Sequence, residues 1–375
     1  MEKPLRIIQV VNVRWFNATA WYGLSLARLL AEAGHEVCVL ALPETESFAK
    51  AHDMGLSPVP LSLNSRNPLD IPLALQQLTR LVREFQPDIV NCHRGEGFLY
   101  FGALKKLGRG FALVRTRGDQ RPPKGGAGNR FLHNVLADAV VATNSRTQEA
   151  IQSILHTPHV PVIVGGVDRQ RFCFTEEGRA RFRARYAVRD DERVVGILGR
   201  FDWVKGQREL IEAVGRLARN TPHLRLVLAG FPTDAVAMED VQGWLAAHSL
   251  TERAIITGKC DDVAACISAM DIGVVASLGS EAIARAALEI MSCGIPLVST
   301  DVGVMPDLLP AWALVPPKDI DALEHILAQG FFDASFRHNL CRAGEDRISS
   351  LTNAAFLEQT LAVYAHALKK SSVQP

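Results

Sequence analysis

The sequence predicts an α/β protein of two Rossmann-like, doubly wound parallel-sheet domains facing one another across a cleft. Three observations predict it. The chain has 375 residues, more than one small core spans. Short β-branched runs alternate with amphipathic stretches of helical period, the pattern of a parallel sheet wound with helices. The alternation pauses at a glycine pair, Gly165-Gly166, and then starts again.

In order, Arg6–Val13 reads as a buried strand and Ala20–Ala33 as a helix that Gly34 stops. Glu36–Ala41 reads as a strand, Asp70–Phe85 as a helix, and Asp88–Cys92 as a strand ending at His93. Ala112–Thr116 and Ala139–Ala142 are two further strands. His159–Asp168 (HVPVIVGGVD) has the prolines and glycines of an interdomain linker. Beyond it, strands are expected at Arg193–Gly199, Leu224–Gly230, Ala254–Thr257, Ile272–Ala276 and Pro296–Ser299. Helices are expected at Gln207–Arg219, Val236–Ala247, Val263–Met270 and Ala284–Ser292. The expected domains are residues 1–165 and 166–352, with a helix at about 353–370 packing back on the first.

Hydrophobic residues make up 48% and charged residues 22%, an ordinary globular balance. A formal net charge of +1 argues against a nucleic-acid binder, whose affinity rests on neutralising phosphates. Neither a signal peptide nor a long unbroken apolar run is legible, so the expected location is the cytoplasm. Seven cysteines without a C-x-x-C pair suit reduced, mostly buried thiols. The basic excess lies before Gly165. Lys105, Lys106, Arg109, Arg115, Arg117, Arg121, Lys124 and Arg130 face only Asp119. That stretch is either a solvated face or a patch drawing an anionic acceptor or the inner membrane surface.

Two segments carry the chemistry. Gly199–Gly206 (GRFDWVKG) follows a strand and precedes a helix, where ligands meet an α/β sheet. Arg200 can fork across phosphate oxygens and Lys205 can act as a point charge, unless both are solvated surface cations. The second segment carries Glu281 and Glu289, eight residues apart around an Ala-rich helix start. If helical throughout, they stand ~12 Å apart along one side of a cleft. The first-turn N–H groups near Ala284 and Arg285 would then face an anion. The alternative is a pair of surface glutamates, one of them favoured by the helix dipole. No G-x-G-x-x-G follows any strand, which removes the main support for a dinucleotide cofactor.

Taken together, G-R-x4-K-G and E-x7-E, followed by Met291–Gly303 (MSCGIPLVSTDVG), resemble the retaining glycosyltransferases of family 4, of GT-B fold. Pro161–Phe172 (PVIVGGVDRQRF) is similar to the family's linker, with Gly165 where asparagine is usual. The resemblance implies that Arg200 and Lys205 bind the diphosphate of a nucleotide-diphosphate sugar, Glu281 its sugar and Glu289 its ribose. It places Ala284 and Arg285 at the phosphate, and Gly258 and Lys259 in a loop beside the base. It implies a co-substrate rather than a cofactor, no metal, and retention by front-face attack.

Three departures stand out. Ala284 replaces a glycine usual in the family. Trp15, Phe16, Trp21 and Tyr22 crowd the loop after the first strand, to stack on an acceptor sugar or to cap the core. Gly118 replaces an acceptor-side histidine, leaving Arg117 and Asp119 as the nearest catalytic substitutes, with Asn17 and His93 as further acceptor-side candidates. The expected acceptor is a saccharide or lipid-linked glycan, as in lipopolysaccharide core assembly. Another GT-B activity (epimerase or phosphorylase) and a non-catalytic nucleotide-sugar sensor are the alternatives.

Overall fold

Strands with apolar side chains on both faces belong to sheets covered on both sides. Six such strands form the N-terminal sheet: β1 (Arg6–Val11), β2 (Glu36–Ala41), β3 (Pro58–Pro60), β4 (Ile89–Cys92), β5 (Ala112–Arg117) and β6 (Ala139–Ala142). The computed structural model describes residues 3–373, apart from residues 66, 68, 109, 119, 120 and 280, and only the backbone of residue 373. The sheet order is β3-β2-β1-β4-β5-β6, and every pairing is parallel. Ile8, Val10, Leu40, Val90 and Leu113 build the core on one face, while Val11, Leu24, Ala27 and Val39 build it on the other.

The second sheet repeats the plan. It contains β7 (Arg193–Leu198), β8 (Leu224–Ala229), β9 (Ala254–Ile256), β10 (Ile272–Val275), β11 (Leu297–Thr300) and β12 (Leu314–Val315). Their order is β12-β11-β10-β7-β8-β9, again all parallel. In each sheet the first strand lies between the second and the fourth, so the winding reverses beside it. Ligands of open α/β sheets bind at the carboxyl ends of the strands at that reversal. The chain divides into two compact units, Met1–Gly165 with Asn353–Pro375, and Gly166–Thr352.

The C-terminal helix, Asn353–Val373, is built into the first unit. Its buried Tyr364 hydroxyl accepts hydrogen bonds from Gln9 Nε2 at 2.8 Å and Asn91 Nδ2 at 2.9 Å. Phe356 meets the Tyr22 ring edge-on with centroids 4.7 Å apart, and Ser371 reaches the Phe111 carbonyl at 3.4 Å. Polar groups on the central strands are thus satisfied by a helix from the far end of the chain.

Several expected elements change at their ends. β1 stops at Val11, because the Asn12 side chain donates to Leu61 O at 2.6 Å and accepts from Leu63 N at 3.3 Å. The helix expected from Ala284 begins at Arg285, since Ala284 is left-handed at φ 49°. Sequence pattern missed the helix Gly95–Lys106, whose glycines lower its propensity. A Cβ on Gly97 would lie 2.5 Å from Val10 Cγ1, so close packing selects the glycine. It also missed the short edge strand β3, bounded by prolines. Of the free cysteines, Cys38, Cys92, Cys266 and Cys293 are buried and Cys173 is exposed. Among the described residues, no helix is long and apolar enough to cross a membrane.

Candidate functional site

The loops that follow β7 and β10 leave the C-terminal sheet side by side at its reversal point. After β7, the Phe201 ring is buried and anchors the segment. Asp202 caps the short 3-10 turn Trp203–Lys205 by accepting from Val204 N at 3.2 Å. The turn ends at Gly206, which is left-handed at φ 70°, and a Cβ there would lie 1.9 Å from the Ala276 carbonyl oxygen. Only glycine fits. Leu278 N donates to Val204 O at 2.8 Å and fastens the two loops together.

This junction brings Lys205 to Glu281. Lys205 Nζ and Ser277 Oγ both donate to Glu281 Oε1, each at 2.5 Å. The glutamate is only 7% exposed, so the surface-glutamate alternative fails for it. Its backbone is fixed from below, with Val304 N donating to Glu281 O at 2.7 Å. Gly303 permits that approach, since a Cβ would lie 2.0 Å from the same oxygen. Thr300 Oγ1 donates to Ser277 O at 2.6 Å. Arg200 stands at the rim, its guanidinium forked on Asp202 Oδ2 at 3.2 and 2.8 Å, with Gln207 donating to its carbonyl at 2.9 Å.

Glu281 and Glu289 do not share one helix, which corrects the helical-throughout expectation. Glu281 precedes the left-handed Ala284, and Glu289 sits on the helix Arg285–Ser292. Glu289 is also buried, with Arg285 Nε on its Oε1 at 2.6 Å. Burial raises its pKa, and the Arg285 and Arg171 guanidiniums oppose the rise. Gly258 turns the loop after β9 at φ 68°, and the exposed Lys259 lies with Nζ 5.2 Å from the centre of the Phe231 ring. Ser277, Asp202, Gln207 and Gly303 escaped sequence reading. Their signal was available in part, because small polar residues and glycines cluster just past strand ends.

In the N-terminal unit the expectations fare differently. His93 is a buried structural histidine rather than an open acceptor-side group. Its Nε2 bonds Gln9 Oε1 at 2.8 Å, and burial beside Arg115 pushes its pKa down to about 3. Arg117 is buried too, its Nη2 donating to Arg121 O at 3.1 Å, so it organises its own loop instead of standing open as a catalytic group. Asp119 lies outside the described residues. Asn17 caps the helix Ala18–Glu32 by accepting from Ala20 N at 3.1 Å. Tyr22 is buried, donating to Ile163 O at 3.0 Å, while Trp15 is 64% exposed.

The basic stretch is not one solvated patch. Lys105 turns inward onto Asp138 and Leu136 O, and Arg115 is buried against the Cys92 and Thr116 carbonyls. Lys106, Arg121, Lys124 and Arg130 remain exposed. Among the described residues, no three His, Cys, Asp or Glu side chains group as a metal site requires.

Residues 178–347 match the family model described as Glycosyl transferases group 1, and residues 20–171 match that of Glycosyltransferase Family 4. An uncharacterized glycosyltransferase of Methanocaldococcus jannaschii is 23% identical over 92% of this chain and 93% of its own. A lipopolysaccharide core biosynthesis mannosyltransferase of Rhizobium meliloti is 29% identical over 52% of this chain and 54% of its own. Among solved structures, a glycosyltransferase from Rickettsia africae has a TM-score of 0.84 at 17% identity, covering 98% of this chain and 99% of its own. Anabaena HepE, solved in complex with UDP and glucose, has a TM-score of 0.82 at 16% identity, covering 96% and 99%. Two parallel six-stranded sheets with flanking helices are the common plan.

Proposed function

The chain belongs to the group 1 (family 4) glycosyltransferases of GT-B fold, and from that premise we propose that it moves a sugar from a nucleotide-diphosphate donor to a glycan or lipid-linked acceptor with retention of configuration. The observation that carries the reading is the Lys205–Glu281 pair at the reversal point of the second sheet, with Arg200 beside it. A diphosphate seated there meets a forked guanidinium and an ammonium, and the sugar it carries meets a carboxylate that accepts hydroxyl hydrogen bonds.

In this reading Arg200 and Lys205 hold the diphosphate and stabilise it as it departs. Glu281 orients the reacting sugar, while Glu289, steadied by Arg285, accepts from the ribose. The backbone of Ala284 and Arg285, at the opening of a helix, faces the phosphates. The leaving phosphate takes the acceptor's proton on the face it vacates, so neither a metal nor a protein base is required. Charge-assisted hydrogen bonds contribute about 1.5–3 kcal/mol each. Arg200→Ala or Lys205→Ala should therefore weaken donor binding by one to two orders of magnitude, as calorimetry would read. Wild-type donor affinity in both variants would refute the assignment. NMR of the product's anomeric proton tests retention.

For the acceptor, surface chemistry favours an anionic, membrane-held glycan such as a lipopolysaccharide core. The helix Gly95–Lys106 packs against the turn Leu132–Leu136, and on or next to these two elements Leu99, Leu107, Phe131 and Val135 stay exposed. Lys106 ends that helix and Arg130 precedes the turn, and both are exposed, as is Lys124 in the segment between. Apolar side chains among cations suit an anionic bilayer, each cation contributing about 1 kcal/mol near its surface. Co-sedimentation with anionic vesicles, lost in 1 M salt, is the expected result; no sedimentation at low salt would rule the contact out.

A further inference from the structure

The first unit carries a cavity of about 670 Å³ along the outer edge of β6, the last strand of its sheet. Ala142 N donates to Pro161 O at 3.0 Å and Ile163 N donates to Ala142 O at 2.9 Å, so the segment before Gly165 pairs with that edge at Ala142. One step lower the same ladder would need an N–H at residue 161, and proline has none. Pairing ends there and the cavity opens. Val140, two residues back on β6, turns its N–H and C=O to the same side and has no strand beside them. Residues of the segment 157–163 form one wall, and the C-terminal helix Asn353–Val373 forms the other. Pro161, Val162, Ala362 and Val363 make the sides apolar. The His159 and His366 rings meet edge-on from the two walls, with centres 6.2 Å apart. Lys370 Nζ donates to Ala137 O at 3.3 Å and has two further donors. Asp138, the one carboxylate among the lining residues, is held by Lys105.

We propose that this cavity is a second, regulatory binding site for a small organic oxyanion, a carboxylate or phosphate on an apolar body. Its volume falls within the ~300–1,000 Å³ of small-molecule sites. The Lys370 ammonium, two imidazoles and the Val140 N–H offer donors to an anion, and the only lining carboxylate is already neutralised. The apolar sides take the body. The site lies apart from the sheet's reversal point, because Asp138–Val140 stand at the amino end of β6 and ligands of the reversal meet the carboxyl ends. It also has a lever. The chain passes between the units twice, at Gly165–Gly166 and at Thr352–Asn353, and Val167 N donates to Leu351 O at 2.9 Å where the two passages run side by side. The two walls of the cavity belong to the segments that enter those passages. An anion bridging His159 to His366 and Lys370 ties the two segments together.

Calorimetric titrations of the full chain with phenyl phosphate, inorganic phosphate and phenol test this. Phenyl phosphate should bind, and the anion or the ring alone should bind more weakly. Lys370→Met, and separately His159→Gln with His366→Gln, should each weaken phenyl phosphate by about tenfold, the scale of one charge-assisted hydrogen bond. Ala362→Trp, which fills the cavity from an exposed helix position, should abolish binding. Lys205→Ala, in the second unit, should leave it unchanged, which separates this site from a phosphate held at the donor site. Hydrogen exchange should slow with phenyl phosphate in residues 157–163 and 359–370. The proposal is overturned if phenyl phosphate does not bind, if it binds Ala362→Trp as tightly as wild type, or if Lys205→Ala alone removes it. Binding that leaves exchange in both segments unaltered overturns the regulatory role.

Discussion

The two units share one sheet plan and differ in what stands at its reversal point. In the second unit that point gathers ions: Lys205 on Glu281, Arg200 on Asp202, and Arg285 on Glu289. In the first it gathers a mostly neutral buried network, Gln9 bonded to His93 and Tyr364 and Asn91 bonded to Tyr364 and Thr116, with one buried cation, Arg115, turned onto the Cys92 carbonyl. A doubly wound sheet brings the same strand ends together in either case. What those ends hold decides the task. Charged groups held at the rim can meet a charged ligand, whereas a satisfied neutral network fixes the sheet to its covering helix.

The sharpest way to break the comparison is through backbone approach in the charged unit. Gly206→Ala would place a methyl 1.9 Å from a carbonyl oxygen at positive φ. The expected cost exceeds about 3 kcal/mol, with donor binding lost while the fold of the first unit persists. Hydrogen exchange resolved by segment would show loss of protection confined to residues 166–352. Equal loss in both units would contradict it.

In the neutral unit the corresponding test is Tyr364→Phe. It leaves the buried Gln9 and Asn91 amides without their shared acceptor, at about 1–3 kcal/mol for each unsatisfied group. The first unit should lose stability in chemical denaturation, and nucleotide-diphosphate affinity should stay at the wild-type value. An affinity loss would show that the network serves the donor site as well.

Acid should separate the units further. His93 is pushed down to about 3 and His133 to about 4 by burial, both in the first unit, against an ordinary value of 6.5. Below pH 6.5 the unfolded chain therefore binds protons that the folded histidines refuse. Stability falls as pH drops through 6.5 towards those two values. Between pH 7 and pH 5 the protection of backbone amides, relative to their intrinsic exchange at each pH, should fall first in the first unit. A His93→Gln variant should show a smaller decline.

The smallest effect belongs to Ala284, buried and left-handed at φ 49° where a glycine is usual in the family. A non-glycine residue there costs roughly 1 kcal/mol. Ala284→Gly should leave stability unchanged or raise it by up to about 1 kcal/mol, whereas Gly206→Ala strongly lowers it. Thermal denaturation of the pair distinguishes them. A large loss on Ala284→Gly would mean that methyl packing outweighs backbone strain.

Much of this protein was legible along the chain. Strands announce themselves by β-branched runs whose period depends only on local geometry, so β2 and β6 read correctly to the residue. Spacing also singled out Arg200, Lys205, Glu281 and Glu289 as candidates, because ligands of α/β sheets meet the chain past strand ends. It did not find that Lys205 and Glu281 pair across 76 positions, since only the order of β7 and β10 in the sheet brings them together. Nor did it find that His93, Arg115 and Arg117 turn inward. A charge run in sequence carries no record of which side chains a strand aims at the core.

The sequence by itself determined the alternation of elements, the break near Gly165 and the residue types at the second unit's strand ends. Those follow from propensity, periodicity and side-chain chemistry, which act over a few residues. Tertiary structure alone decided that Ala284 interrupts the helix between the two glutamates and that Tyr364 closes the first unit. It alone placed Lys259 over Phe231. Each of these depends on contacts between distant segments, whose free energy exists only once the sheets have assembled.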